Sequence, residues 1–433
     1  MTYEETEQYI LDIPKFAGKH TLKDTGRLLR KLTEEVTESK IIHVAGTNGK
    51  GSVCAYLRSI LLSSDRRVGM FISPHLETMR ERICLDNEMI SKQDFVRIFE
   101  QVLSAVKEDM KQGGSHPSFF EYLFLMAMTY YQEKKPDYII LETGLGGRLD
   151  ATNSIANPTV CVITEIGYDH MQYLGSTLQE IAGEKAGIIK QGVPVVFVEK
   201  RPETTDIIKK YAVKMGSRQV IVGKDNILNK NIRNKSIDFS LHTGYYNYDS
   251  LLLGTCALYQ IENASLAVAT AELLRLQDAG ITEQAIRRGL QMTCWPGRME
   301  EILPGVYLDG AHNADGVEAL LSTARQDCCQ GRRLLLFGVV SDKQYEHMIS
   351  QIARSGLFAE TAVTALESDR SVSIDELERI WRQYETDCSF HINAQEAYAS
   401  VLGKKKEKDV VYIAGSLYLI GQIKALMRRM PDD

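Results

Sequence analysis

The run Gly46-Thr47-Asn48-Gly49-Lys50-Gly51-Ser52 holds residue types that suit phosphate chemistry. It follows an apolar stretch, residues 41–45, that reads as a buried strand, and it precedes residues 53–61, which read as a helix. A strand, a glycine-rich turn and a helix together form a phosphate cradle. Backbone N–H groups and the positive helix terminus face the anion, Lys50 reaches the terminal phosphates, and the Ser52 hydroxyl can ligate Mg²⁺. The motif is shorter than a regular Walker A, because only Thr47 and Asn48 separate Gly46 from Gly49, and Gly51 stands between Lys50 and Ser52. Glu142 ends a second apolar run and is followed by Thr143-Gly144-Leu145-Gly146-Gly147-Arg148. A carboxylate at a strand's carboxyl end, beside a glycine-rich loop, is where an α/β nucleotide site holds its metal. Asp169-His170 follow the strand-like residues 160–164 in the same manner. Taken alone, His170 suits a structural role as readily as a ligand, and Lys185 reads as a solvated helix lysine.

These positions need a scaffold, and the hydrophobic pattern supplies one. Residues 1–40 read as helices. Short continuous apolar runs at 67–72, 137–142, 160–164 and 194–198 alternate with helical stretches, which indicates a parallel sheet covered on both faces. Pro74 ends the second strand, so His75 lies on a loop. Ser91 with Asp94, and Ser118 with Glu121, read as helix starts. Residues 219–260 hold short strand-like pieces and Gly/Asn/Tyr turns, which predicts an antiparallel appendage. Helices resume at 263–276 and 283–291, and Trp295-Pro296-Gly297 closes the helical pattern. Strands at 306–309, 333–337, 360–364 and 410–414 then alternate with helices, one of them opened by Ser373 with Glu376. The predicted class is α/β. A P-loop-containing, mostly parallel sheet domain with a small antiparallel appendage (residues 1–297) precedes a smaller Rossmann-like α/β domain (residues 298–433). A cleft between two such sheets is where nucleotide and acceptor meet.

Composition narrows the partners. The 433 residues suffice for two or three domains, with 44% apolar and 25% charged content. A net charge of −6 argues against a nucleic-acid binder held by a basic surface. The short basic run at 404–408 is interrupted by Glu407 and reads as a solvated loop. Eight cysteines without Cys-x-x-Cys spacing predict reduced thiols. The acidic start lacks a basic and apolar leader, and no apolar run approaches the ~18 residues that span a bilayer. A cytoplasmic enzyme is expected, acting on small molecules, without nucleic-acid or membrane partners.

The ordered motifs resemble those of folylpolyglutamate synthases and dihydrofolate synthases, members of the Mur ligase superfamily. They comprise the Gly46–Ser52 loop, Ser73-Pro74-His75-Leu76, Glu81-Arg82-Ile83, Phe119-Phe120-Glu121 and residues 141–153. The series continues with Asp169-His170, residues 181–188, Glu262-Asn263-Ala264, Pro296-Gly297-Arg298-Met299-Glu300, Asp309-Gly310-Ala311-His312-Asn313 and Gly415-Ser416-Leu417-Tyr418. The resemblance implies an ATP-dependent amide ligase. A substrate carboxylate attacks the γ-phosphate, an acyl phosphate and ADP form, and the amine of L-glutamate displaces phosphate. It implies that Gly46, Thr47, Asn48, Gly49, Lys50, Gly51, Ser52, Asn263, Arg298 and Asp309 bind ATP. It further implies one Mg²⁺ on Ser52 and Glu142 and a second on His170 and Lys185, with K⁺ as a further candidate cation. Lys185 would act as a CO₂-derived carbamate, since an ammonium repels Mg²⁺ and a carbamate offers it an anionic oxygen. Lys50, Lys185, His170 and His312 would be catalytic. Ser73, Pro74, His75, Arg82, Phe120, Asp150, Ala151 and Asn153 would shape a pterin-side pocket, where an aromatic suits a flat pteridine.

Some positions depart from the family pattern. Thr143 stands where valine is common, Ala314 where proline usually follows, and Leu123 where a small polar residue is usual. The expected substrates are ATP, L-glutamate and either a folate or dihydropteroate, and the chain is expected to be a monomer. The loop Gly147-Arg148-Leu149-Asp150-Ala151-Thr152-Asn153 is more similar to that of enzymes accepting both acceptors. A cell-wall Mur ligase is the alternative within the superfamily. It would need a UDP-binding domain for which the 45 residues before Gly46 are too few. A nucleotide-binding module without ligase chemistry is the other alternative.

Overall fold

A computed structural model describes residues 1–14, 20–33, 38–233 and 235–429. The helical reading of residues 1–40 is met by helices Tyr3–Asp12 and Leu22–Leu32, with 15–19 and 34–37 outside the described residues. The larger sheet contains β1 (Lys40–Ala45), β2 (Val68–Phe71), β3 (Ile83–Leu85), β4 (Glu88–Met89), β5 (Tyr138–Glu142), β6 (Val160–Ile163), β7 (Val195–Val198) and β8 (Gln219–Val222). Their spatial order is β4-β3-β2-β5-β1-β6-β7-β8. β1 is central, hydrogen-bonded along both edges to the parallel strands β5 and β6, and its Ile42, Val44 and Ala45 are fully buried. Near one edge the short strand β3 runs antiparallel to both of its neighbours, β2 and β4. The expected antiparallel appendage is β9 (Ile227–Arg233), β10 (Ser236–His242) and β11 (Asn247–Leu253). The prediction for 219–260 is corrected at its start, because β8 pairs in parallel with β7 and extends the main sheet.

The second sheet is formed by β12 (Arg298–Leu303), β13 (Val306–Asp309), β14 (Arg333–Phe337), β15 (Glu360–Thr364), β16 (Cys388–His391) and β17 (Val410–Ala414), in the order β12-β13-β17-β14-β15-β16. Two of these were missing from the sequence reading. β12 is an antiparallel edge strand beside β13, and β16 is a half-buried edge strand of mixed polarity. Neither carries the continuous apolar run that marks a buried parallel strand. Helix starts behave as their sequences require. The Asp94 amide donates to Ser91 Oγ at 3.0 Å, and the Ser118 amide donates to Glu121 Oε2 at 2.7 Å. Among the described residues no helix is long and apolar enough to cross a membrane. All eight cysteines are free.

Both sheets turn the carboxyl ends of their parallel strands towards one cleft. The loops after β1, β5 and β6 meet the loops after β13 and β14 there, the position where open α/β sheets bind ligands.

Candidate active site

The phosphate loop leaves β1 at Gly46 and enters the helix Lys50–Leu62. Its glycines are required by contact. A Cβ at Gly46 would lie 1.8 Å from Thr164 Oγ1, and one at Gly49, where φ is 87°, would lie 2.2 Å from Asn263 Oδ1. The loop is pinned to the end of β6: Thr47 N–H donates to the Glu165 carbonyl at 2.8 Å, and Thr164 Oγ1 donates to the Asn48 carbonyl at 2.6 Å. The first N–H groups of the helix, from Lys50 onward, have no intrahelical acceptor and form the anion-facing end. Lys50 Nζ lies 3.1 Å from the Thr47 carbonyl, folded along the loop it serves.

Beneath the loop sit two oxygen donors. Ser52 is buried, its Oγ accepting from Gln260 Nε2 at 3.1 Å. Glu142 ends β5 fully enclosed, and Oε2 accepts from the Ser73 amide at 3.1 Å. Burial pushes its carboxyl up, while Lys50 pulls it back towards the ionised form. Lys185, on the last turn of the helix Leu178–Ala186, is buried as well and donates to the Gly46 carbonyl at 2.7 Å. Burial, and then the charge of Lys50, bring its ammonium down to about 7. The solvated-helix reading of this lysine is therefore replaced by a buried amine under the phosphate loop.

Across the cleft, Asp309 at the end of β13 is enclosed, accepting from Tyr259 Oη at 2.5 Å, the Met299 amide at 3.1 Å and the Ala311 amide at 2.9 Å. Arg298 packs over Gly310, where a Cβ would fall 1.8 Å from its Nη1. His312 Nδ1 lies 2.7 Å from the Gly310 carbonyl, which makes Nδ1 the protonated nitrogen of the neutral ring and leaves Nε2 as the acceptor, 3.8 Å from Asp169. His170, at φ 50°, also faces Asp169, with Nε2 at 3.9 Å. Burial brings both histidines down to about 4, so both are neutral near neutral pH. Asp169 is bound by Lys343 Nζ at 2.6 Å. Burial alone would raise this carboxyl, but Lys343, His170 and His312 together hold it well below the usual carboxylate range.

Of the sequence-predicted residues, Gly46 to Ser52, Ser73, Pro74, Glu142, His170, Lys185, Asn263, Arg298, Asp309 and His312 share this cleft. Six do not form its wall. Arg82 Nε donates to His75 Nδ1 at 2.8 Å, its guanidinium lying 5.3 Å from the Phe119 ring centre, and Phe120 backs onto Gly144. Asp150 is buried under the glycine-rich loop. It accepts from the Gly144 and Leu145 amides, each at 2.8 Å, and from the amide and hydroxyl of Thr152. Ala151 is buried, and Asn153 Nδ2 is divided between the carbonyls of Arg148 and Gly187. Asp150, Ala151 and Asn153, expected to shape a pterin-side pocket, lie outside the wall of this cleft, where their hydrogen bonds and burial hold the loop. Sequence reasoning missed Lys343, Tyr259 and Gln260. Only the position of Lys343, on the loop that follows a parallel strand, would have marked it.

Known proteins match this chain over nearly its whole length. The Mur ligase middle domain family model matches residues 44–271, and the Mur ligase glutamate ligase domain matches residues 297–417. The dihydrofolate synthase/folylpolyglutamate synthase of Bacillus subtilis is 34% identical, over 98% of this chain and 99% of its own. The crystal structure of folylpolyglutamate synthase from Thermotoga maritima is 33% identical with a TM-score of 0.84, covering 99% of this chain and 97% of that one. E. coli FolC in complex with DHPP and ADP is 25% identical with a TM-score of 0.86, each chain covered over 99%. The chain is an ATP-dependent ligase of the Mur type and belongs to the folylpolyglutamate synthase/dihydrofolate synthase family.

Proposed function

We propose that the chain joins L-glutamate to the carboxylate of a reduced folate, and also to that of dihydropteroate, at the expense of ATP. The observation that carries this reading is Lys185. A buried amine with its ammonium brought to about 7, held 2.7 Å from the carbonyl of Gly46 in the phosphate loop, suits conversion to a carbamate. The acceptance of both acceptors draws on the name of the Bacillus subtilis relative.

The substrate carboxylate attacks the γ-phosphorus, and the bond to the bridging oxygen of ADP breaks. The amine of glutamate then adds to the acyl phosphate carbonyl, and the tetrahedral adduct expels inorganic phosphate. Lys50 and the helix N–H groups meet the charge that develops on the transferred phosphoryl group. The donor set fits Mg²⁺. Ser52 and Glu142 offer hard oxygens, and phosphates and water would complete the coordination of the ion. Neutral His170 and carbamylated Lys185 would hold a second Mg²⁺. When bound, the ions neutralise phosphate charge. Arg298, Asn263 and Asp309 would contact the nucleotide, and His312 the incoming groups. Residues 1–297 would form the ATP- and folate-binding domain and 298–433 the glutamate ligase domain of a monomeric, cytoplasmic enzyme. The test is ADP release measured with dihydropteroate and with reduced folates, each with and without glutamate. Glutamate-dependent release with both acceptors is expected; nucleotide binding without such release would reject the ligase reading for a binding module.

A further inference from the structure

Among the described residues the second domain is hydrogen-bonded to the phosphate loop through the side chains of Asn313 and Asn48, and the orientation of each amide is fixed by its neighbour. Asn313 caps the helix Ala314–Gln326, its Oδ1 accepting from the Gly316 amide at 2.8 Å. A backbone N–H can only donate, so this bond sets which end of the Asn313 amide faces the helix. Its Nδ2 is therefore turned to Asn48 and donates to Asn48 Oδ1 at 3.0 Å. Asn48 must then present its own Nδ2 elsewhere, and that nitrogen is buried with no partner. The Asn48 backbone cannot swing to relieve it, being tied at the carbonyl to Thr164 and at the amide to Glu165. A buried donor left unpaired is costly, and this one belongs to a loop that lines the cleft beside His170 and His312.

We infer that Asn313 acts as a positioning residue: through Asn48 it fixes which end of that amide, the Nδ2 donor, is left for the γ-phosphate of ATP. The inference rests on the proposed ligase reading. The Asn48 amide works as a two-ended relay. With Asn313 in place, Oδ1 is consumed by the second domain and Nδ2 is delivered to the phosphate. With an acceptor in place of Nδ2 of residue 313, the Asn48 amide turns over and offers Oδ1 to the phosphate, a repulsive contact.

The Asn313→Asp and Asn313→Ser variants separate this role from helix capping, since Asp and Ser both cap helices well. Thermal melts report whether each folds, and calorimetry on the full chain measures ADP and a non-hydrolysable ATP analogue. Asn313→Asp should weaken the analogue by about tenfold, the effect of losing one charge-assisted hydrogen bond, while leaving ADP unchanged. Asn313→Ser, which frees the Asn48 amide without inverting it, should hold the analogue within about threefold of wild type. In an Asn48→Ala background the difference between the two variants should vanish. Equal analogue binding by the Asp and Ser variants overturns the relay. So does persistence of the Asp penalty without Asn48, which would mark direct repulsion by the new carboxylate. A wild-type chain that binds neither nucleotide would instead overturn the ligase reading itself.

Discussion

Burial and the adjacent Lys50 bring the Lys185 ammonium to about 7, and this determines how the proposed reaction responds to pH. The neutral amine, present above that value, can take up CO₂; the ammonium below it cannot. In bicarbonate-containing buffer, turnover should fall as pH drops from about 8 to about 6, in step with protonation of this amine. Lys185→Ala should abolish turnover yet keep most ATP affinity, because Lys50 and the loop backbone remain; wild-type-like rates in that variant would remove Lys185 from the chemistry. Lys50→Ala should lower kcat by at least about tenfold through lost stabilisation of phosphoryl charge, and a smaller loss would count against its role.

Elements matter here chiefly as rigid supports for these side chains. The helix Gln260–Arg275 supplies Gln260 and Asn263 at the loop, and three turns further on carries Glu272, buried against the β10–β11 turn. Thr243 Oγ1 donates to Glu272 Oε1 at 2.8 Å, and burial pushes this carboxyl up to about 7 from an ordinary 4.5. Below pH 4.5 the group is protonated in folded and unfolded chains alike. Between 4.5 and 7 the unfolded chain loses the proton and the folded chain keeps it, so stability falls as pH rises. The accumulated loss is about 3 kcal/mol, and Glu272→Gln should flatten this part of the pH profile in urea unfolding. A variant profile as steep as that of wild type would assign the slope to other groups. The strand readings succeeded where runs were apolar on both faces, as in β1 and β5. They failed at β12 and β16, because an edge strand covered on one side has no sequence pattern distinct from that of a loop.

For the whole molecule, the two domains are held together around the phosphate loop. Lys343 binds Asp169 at 2.6 Å, Arg201 binds Asp315 at 2.7 Å, and Tyr259 binds Asp309 at 2.5 Å. The Lys343–Asp169 side chains are only 10% and 11% exposed, so screening by solvent is slight. Lys343→Ala would strand a buried carboxylate and weaken the contact between the domains by about 3–5 kcal/mol. The variant should show a larger radius of gyration in solution scattering and slower turnover. An unchanged scattering curve would show that this pair does not hold the domains.

The sequence by itself determined the chemistry class, and it marked residues that the fold gathers into one cleft. Gly46 to Ser52, Glu142 and the Asp309–Asn313 run keep their meaning locally, because a phosphate cradle and a strand-end carboxylate are built from neighbouring residues. The tertiary structure decided what depends on distant residues. Enclosure turned Lys185 from an ordinary ammonium into a near-neutral amine, and it committed Asp150 to the amides of its own loop. Lys343, which no motif marks, was brought onto Asp169 from 174 residues away. Desolvation and partner choice are set by how sheets and domains pack, and spacing along the chain contains neither.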